Sequence, residues 1–306
     1  MSSSPYHPEL SRVRFLPTIP TGPRMVKLMR RLKPRGIDPG PDVTVDEITV
    51  SPTVSIRLFR PAHVAGPVPA MLWMHGGGHL FGAPEQDDRS NIAFVRKLGI
   101  AVAAARYRLG SEAPAPASVE DCYAAFLALA NRGEEWGIDV TRLAVGGASA
   151  GGGVAAALAQ YALDRGDAQP MFQLLVYPML DDRTVLRSHP DAKHHRGWNE
   201  KNNRQGWTTY TAGEPGRPGV SPYAAPARRD DLAGLPPAWI GVGTLDLFHD
   251  EDVEYARRLN AAEVPCELYV VPGATHGFDQ MFPRAQAVRD FWRQQADALR
   301  RAGIAT

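Results

Sequence analysis

Cysteine is scarce: Cys122 and Cys266 stand far apart and form no C-x-x-C pair. Neither a disulfide framework nor a zinc knuckle is expected, and both residues read as buried free thiols. Net charge is nearly absent as well, at +1, with basic and acidic residues interspersed along the chain. Without an extended field of one sign, neither a nucleic-acid backbone nor an anionic membrane surface is an expected partner. Long apolar runs are missing. No segment approaches the roughly 18 apolar residues of a membrane span, and the opening "MSSSPYHPELSRVRFLPTIP" lacks a signal-peptide core. The expectation is a cytoplasmic protein with no membrane span. Neither GxGxxG nor GxxxxGK[ST] occurs, so the two common phosphate-binding loops are also missing.

What is present suits a folded enzyme. Apolar residues make up 44% of 306, enough for a substantial core. The 27 prolines cluster in stretches such as "EAPAPAS" and "PGRPGVSPYAAP", which read as ordered loops. "VTVDEITV" (43–50) and "VSIRLFR" (54–60) alternate with period two around "SPT" and predict an antiparallel hairpin. "AMLWMH", "IAVAAARY", "RLAVGG", "FQLLVY", "AWIGVG" and "ELYVV" are nearly continuous apolar runs, as in a parallel sheet buried on both faces. Helical patterns separate them, among them "DDRSNIAFVRKLG", "SVEDCYAAFLALANRG", "AGGGVAAALAQYALDRG" and "DEDVEYARRLNAAE". A last amphipathic helix is expected within residues 284–302. This alternation predicts a doubly wound α/β sheet. Residues 1–45 and about 183–222 fit it poorly, and together they read as a cap over residues 46–306.

The chemistry gathers around "VGGASAGGG" (145–153), where an apolar strand ends and an alanine-rich helix begins. Gly147, Ser149 and Gly151 complete G-x-S-x-G in the strand-turn-helix setting that a nucleophile elbow requires. An activated serine needs a base, and His276 follows the last strand in "VPGATHGFD". Asp246 ends the preceding strand in "IGVGTLDLFHDE" and would fix the imidazole tautomer. The neighbouring Asp250, Glu251 and Asp252 begin a helix and read as capping residues. "MHGGGHLFG" (74–82) offers backbone N–H groups free of side chains, so Gly77 and Gly78, with Ala150, are the expected oxyanion hole. His75 is expected to orient rather than to act as a base. His194 and His195 are adjacent and have no third ligand, so no metal is expected.

In these motifs the chain resembles the hormone-sensitive-lipase-like family of α/β-hydrolases over roughly residues 45–300. The matching stretches are "HGGG" (75–78), "YRL" (107–109), "GASAGG" (147–152), "SPYAAP" (221–226), "DLFHDE" (246–251) and "HGF" (276–278). The resemblance implies an α/β-hydrolase fold with a helical cap and hydrolysis of short-to-medium acyl esters without a cofactor. It also suggests a homodimer. His79, Phe81, Trp198, Trp207, Tyr210, Phe248 and Phe278 become expected pocket residues, with Met25 and Met29 beside them. Two positions depart from the family: Ala148 replaces its usual Asp or Thr, and Gly110-Ser111 replaces Ala-Pro after "YRL". An amidase or lactonase using the same triad, or a non-catalytic binding protein on this scaffold, would carry much of the same pattern.

Overall fold

The structure, a computed structural model, describes residues 4–16, 22–32 and 34–305. Parts of the segment assigned to an N-terminal cap, residues 1–3, 17–21 and 33, thus lie outside the described residues, as does the Pro23 side chain.

Among the described residues, eight strands form one sheet: β1 (Val43–Thr49), β2 (Ser55–Pro61), β3 (Val68–Met74), β4 (Ala101–Arg106), β5 (Ile138–Ala148), β6 (Gln173–Val176), β7 (Ala238–Gly243) and β8 (Cys266–Val271). Their order is β1-β2-β4-β3-β5-β6-β7-β8. The β1–β2 hairpin pairs antiparallel and lies antiparallel on β4, while every later pairing is parallel. All seven residues of β3 are buried, as its unbroken apolar run predicts for a strand covered on both faces.

The helices are α1 (Pro23–Arg31), α2 (Asp88–Leu98), α3 (Ala117–Arg132), α4 (Ala150–Arg165), α5 (Glu200–Tyr210), α6 (His249–Ala261), α7 (Phe278–Met281) and α8 (Gln286–Arg301). One core layer joins Phe94 and Val95 of α2 and Phe291 of α8 to the sheet; the other joins Phe126 of α3, Leu158 of α4 and Tyr255 of α6 to its opposite face. Gly99 and Gly166 close α2 and α4 in the left-handed conformation, at φ 65° and 73°, where their N–H groups reach Val95 and Ala162 carbonyls. Cys122 is buried as expected, whereas Cys266, at the start of the last strand, is only half-buried; both are free. No described helix is long and apolar enough to cross a membrane.

Candidate active site

β5 ends at Ala148, and α4 begins at Ala150. Ser149 between them has φ 57° and ψ −122°. A non-glycine residue there carries strain of about 1–3 kcal/mol and persists only where its surroundings over-determine it. They do: the Ser149 N–H donates to Val176 O at 2.9 Å, and its carbonyl accepts from Gly153 at 3.1 Å and Met179 at 3.0 Å. The flanking glycines permit the turn sterically. A Cβ on Gly147 would stand 2.5 Å from the Gly151 carbonyl, and one on Gly151 would overlap the Met74 carbonyl oxygen.

The elbow aims Ser149 Oγ at His276 Nε2, 2.9 Å away. On the other side of the ring, His276 Nδ1 donates to Asp246 Oδ2 at 2.8 Å. These partners require the Nδ1–H tautomer in the resting site, leaving Nε2 to accept from the serine. Asp246 Oδ1 in turn accepts the Phe248 N–H at 3.0 Å. The three side chains come from the ends of β5, β7 and β8 and are all buried. Phe248 meets the His276 ring edge-on with centroids 5.2 Å apart, and Tyr177 does so at 4.7 Å. Tyr177 OH donates to Asp279 Oδ1 at 2.7 Å, which fixes the tyrosine against the histidine. The sequence reading missed this pair. The signal was available in "HGFD", where Asp279 follows His276 by three residues.

The loop after β3 supplies the remaining groups. Gly77 has φ 128° and Gly78 has φ 59°. Gly77 O accepts from Leu80 and Phe81, closing a tight turn. The N–H groups of Gly77, Gly78 and Ala150 have no acceptor among the described residues. A Cβ on Gly76 would lie 3.3 Å from Ser149 Cβ, so the loop rests directly against the elbow. A Cβ on Gly77 would instead overlap the Phe81 carbonyl oxygen, at a φ unfavourable to any side chain. Gly77→Ala is therefore expected to shift the turn and cost about 100- to 1000-fold in kcat. Steady-state kinetics beside a urea unfolding curve checks this; unchanged kcat in a folded variant would contradict it.

The two histidines of this loop stay neutral because burial opposes their charge. The His75 imidazole is pushed down to about 4 by desolvation, and its Nδ1 donates to Gly76 O at 2.8 Å. It stacks on Tyr107, whose OH donates to the His75 carbonyl at 2.7 Å. His79 is pushed down to about 3, again chiefly by desolvation. Its ring lies 3.6 Å from Tyr210 at an interplanar angle of 3°, and neither ring nitrogen has a hydrogen-bond partner among the described residues.

The other expected pocket residues do not gather in one place. Trp198 lies against Gly78, and together with Trp207, Tyr210 and Phe248 it shares one apolar cluster with Val26 of α1 and Leu80. Phe81 and Met29 line a cavity of about 440 Å³ between α1 and the glycine loop. Met25 is half-buried on α1. Phe278 points elsewhere: it is fully buried in the α8 layer, with its ring 4.9 Å from Phe291. Ala148 faces a second cavity of about 830 Å³, lined also by Tyr177, Asp279 and Asp87.

The capping role expected for Glu251 and Asp252 is overturned. Among the described residues no side chain caps α6, and of these three acidic residues Asp250 alone is exposed. Glu251 Oε1 instead accepts the N–H groups of Leu180 at 2.7 Å and Asp181 at 3.2 Å, and Oε2 accepts the Thr184 hydroxyl, so it ties down the chain leaving β6. Burial raises its carboxyl to about 8 from 4.5. Asp252 is fully buried with both oxygens unpartnered among the described residues, and burial pushes it up as well. The sign follows from proton counting. The unfolded chain loses the Glu251 proton near 4.5 and the folded protein near 8, so this group's stabilisation is full below the first value and declines through the second. Glu251→Gln keeps one acceptor and does not titrate. In urea unfolding at pH 5, 7 and 9, the wild type is expected to lose stability relative to this variant as pH rises; parallel profiles would contradict the assignment.

The comparisons with known proteins agree with this geometry. Residues 71–280 match the profile of a family described by its alpha/beta hydrolase fold. The carboxylic ester hydrolase LipN of Mycobacterium tuberculosis is 35% identical over 259 residues, covering 80% of this chain and 67% of that protein. An ethyl acetate hydrolase of Pseudomonas putida is 32% identical over 234 residues, covering 75% and 72%. Among solved structures, a bacterial heroin esterase superposes with a TM-score of 0.85 at 36% identity, covering 97% of this chain and 98% of that one.

Proposed function

The chain belongs to the hormone-sensitive-lipase-like group of α/β-hydrolases, and from that membership we propose that it is a serine carboxylesterase acting through an acyl-enzyme on Ser149. The relay from Ser149 Oγ to His276 to Asp246, at 2.9 and 2.8 Å, is the observation that carries the proposal. Ser149 Oγ attacks the ester carbonyl carbon while its proton passes to His276 Nε2. The carbonyl oxygen becomes an oxyanion facing the N–H groups of Gly77, Gly78 and Ala150, which are already oriented and have no acceptor among the described residues to surrender. The Ala150 N–H also belongs to the positive end of α4. Collapse breaks the ester C–O bond, and the leaving alcohol takes the proton from His276. Water then attacks the acyl carbon as its proton passes to His276 Nε2, and collapse breaks the bond to Ser149 Oγ, which takes that proton back as the acid departs. Throughout, Asp246 stabilises the imidazolium without itself being protonated.

Residues 1–45 and 183–222 are assigned to a cap, in which Val26, Trp198 and Trp207 enclose the glycine loop. The crowding of Trp198 against Gly78 favours short-to-medium acyl chains. A p-nitrophenyl ester series from acetate to dodecanoate tests this, with a lactone and an anilide run beside it. Turnover of the shorter esters, with little of the anilide, is expected. A folded protein inert on every ester would overturn the proposal.

A further inference from the structure

The near-zero net charge conceals a strong asymmetry. Residues 1–36 hold eight Lys and Arg against a single Glu, whereas the other 270 residues hold 26 basic and 32 acidic side chains. Charge is therefore not interspersed along the whole chain, and the ground for setting aside an anionic surface fails for this segment. Exposed apolar side chains gather in the same region. Of the eight large hydrophobic residues exposed among the described ones, five lie between Phe15 and Ile37.

α1 shows how the two features combine. Its inner face buries Val26 against Leu80 and Trp207, and Arg30 anchors it to Glu112 at 2.6 Å. Its outward stripe is Arg24, Lys27, Leu28 and Arg31, at the i, i+3, i+4 and i+7 spacing of one helical face. Leu28 is 48% exposed, and Leu32, just past the helix, is 65% exposed. Arg24, Lys27 and Arg31 have no acidic partner among the described residues. Single exposed leucines are ordinary on a protein surface, but two of them share this face with three cations that have no acidic partner among the described residues, and a nucleic-acid backbone would reward only the cations. A surface that carries negative charge over hydrocarbon rewards both.

We propose that the outward face of α1 docks the protein on anionic lipid surfaces. Docking would lay the helix in the headgroup layer, with its cations at phosphate level and Leu28 and Leu32 directed toward the acyl boundary. The contact is peripheral and spans nothing. It also has a direction. Met29 and Leu32 wall the 440 Å³ cavity that has His75, Phe81 and Tyr107 on its other side, so the docked face adjoins the cavity leading to the glycine loop. The inference stands without the esterase reading, because binding is read independently of turnover.

The test is co-sedimentation of the full chain with vesicles of phosphatidylglycerol and phosphatidylcholine, beside vesicles of phosphatidylcholine alone, at 0.1 and 1 M salt. Binding is expected to the anionic vesicles only and to weaken at 1 M, where the screening length falls from about 10 to about 3 Å. Each basic side chain near such a surface contributes about fivefold in partitioning. Lys27→Glu/Arg31→Glu should therefore weaken binding by about thirtyfold or more, while turnover of a water-soluble ester stays at the wild-type level. Leu28→Ser should weaken binding severalfold with no change in charge. Equal binding to both vesicle types, no binding to either, or a charge-reversed variant that binds like wild type would overturn the proposal. Binding that responds to charge reversal and not at all to Leu28→Ser would overturn it in favour of a polyanionic macromolecule. Unfolding curves on each variant ensure that lost binding is not lost fold; should the double variant fail that check, Arg24→Glu provides the same reading from an exposed position.

Discussion

Ser149→Ala is expected to lower kcat on a p-nitrophenyl ester about a millionfold and to leave stability nearly unchanged. The rate effect follows from removing the attacking atom: the oxyanion donors and substrate binding then retain only about 10³- to 10⁴-fold over the reaction in water. The stability effect is small because the change removes one oxygen and no packing. The φ of 57° is no worse for alanine than for serine, and the backbone bonds to Val176, Gly153 and Met179 remain. Single-turnover kinetics and a urea titration on the same preparation separate the two. Residual activity of a few per cent in a pure, folded variant would remove Ser149 from the mechanism.

Asp246→Asn should cost about 10⁴-fold in kcat, and the reason is the tautomer. Asp246 Oδ1 receives the Phe248 N–H at 3.0 Å, so an asparagine placed there keeps its oxygen on that donor and turns its NH₂ toward His276. Nδ1 must then accept, the ring proton moves to Nε2, and the histidine can no longer take the serine proton. Substituting a neighbouring buried carboxyl provides the contrast. Glu251→Gln loosens the 180–184 loop without touching His276 and should leave kcat within about tenfold, because it removes no group from the reacting atoms. If Asp246→Asn were silent and Asp252→Asn inactive, the orienting carboxylate would have to be reassigned.

The inner strands β3, β4, β6 and β7 were legible because they are apolar on both faces, a pattern that does not depend on what packs against them, and the β1–β2 hairpin by its period-two alternation; β8, at the sheet edge, is only half-buried despite its apolar run. Boundaries slipped where polarity intrudes. β5 begins at Ile138, before the run "RLAVGG", because the polar Asp139 and Thr141 interrupt its partly exposed start. α5 was read only as part of the stretch at about 183–222 that fits the strand-helix alternation poorly, although Asn203, Gly206, Trp207 and Tyr210 already mark one helical face and Asn199 caps it by accepting the Asn202 N–H at 3.0 Å. The residues of the relay were legible for a different reason: strand ends and chain order bring them together with no knowledge of packing.

The misreadings share one cause, which is that sequence position does not report burial. Acidic residues at a helix start commonly cap it, but Glu251 and Asp252 face inward under the chain leaving β6. Phe278 follows the loop of His276 and yet turns into the α8 layer as α7 begins. Net charge misleads similarly, since it is a sum and a field depends on placement; the basic segment around α1 disappears in the total.

The central claim is that Ser149 becomes covalently acylated through His276. Reaction with a p-nitrophenyl alkylphosphonate, followed by peptide mass mapping, tests it most directly, because the phosphonyl group is retained where an acyl group would be hydrolysed. One adduct per chain is expected, on the peptide containing Ser149, with p-nitrophenol released in equal amount and labelling slowed by orders of magnitude in His276→Ala. An adduct on another residue, or no adduct in a preparation that turns over esters, would contradict the account.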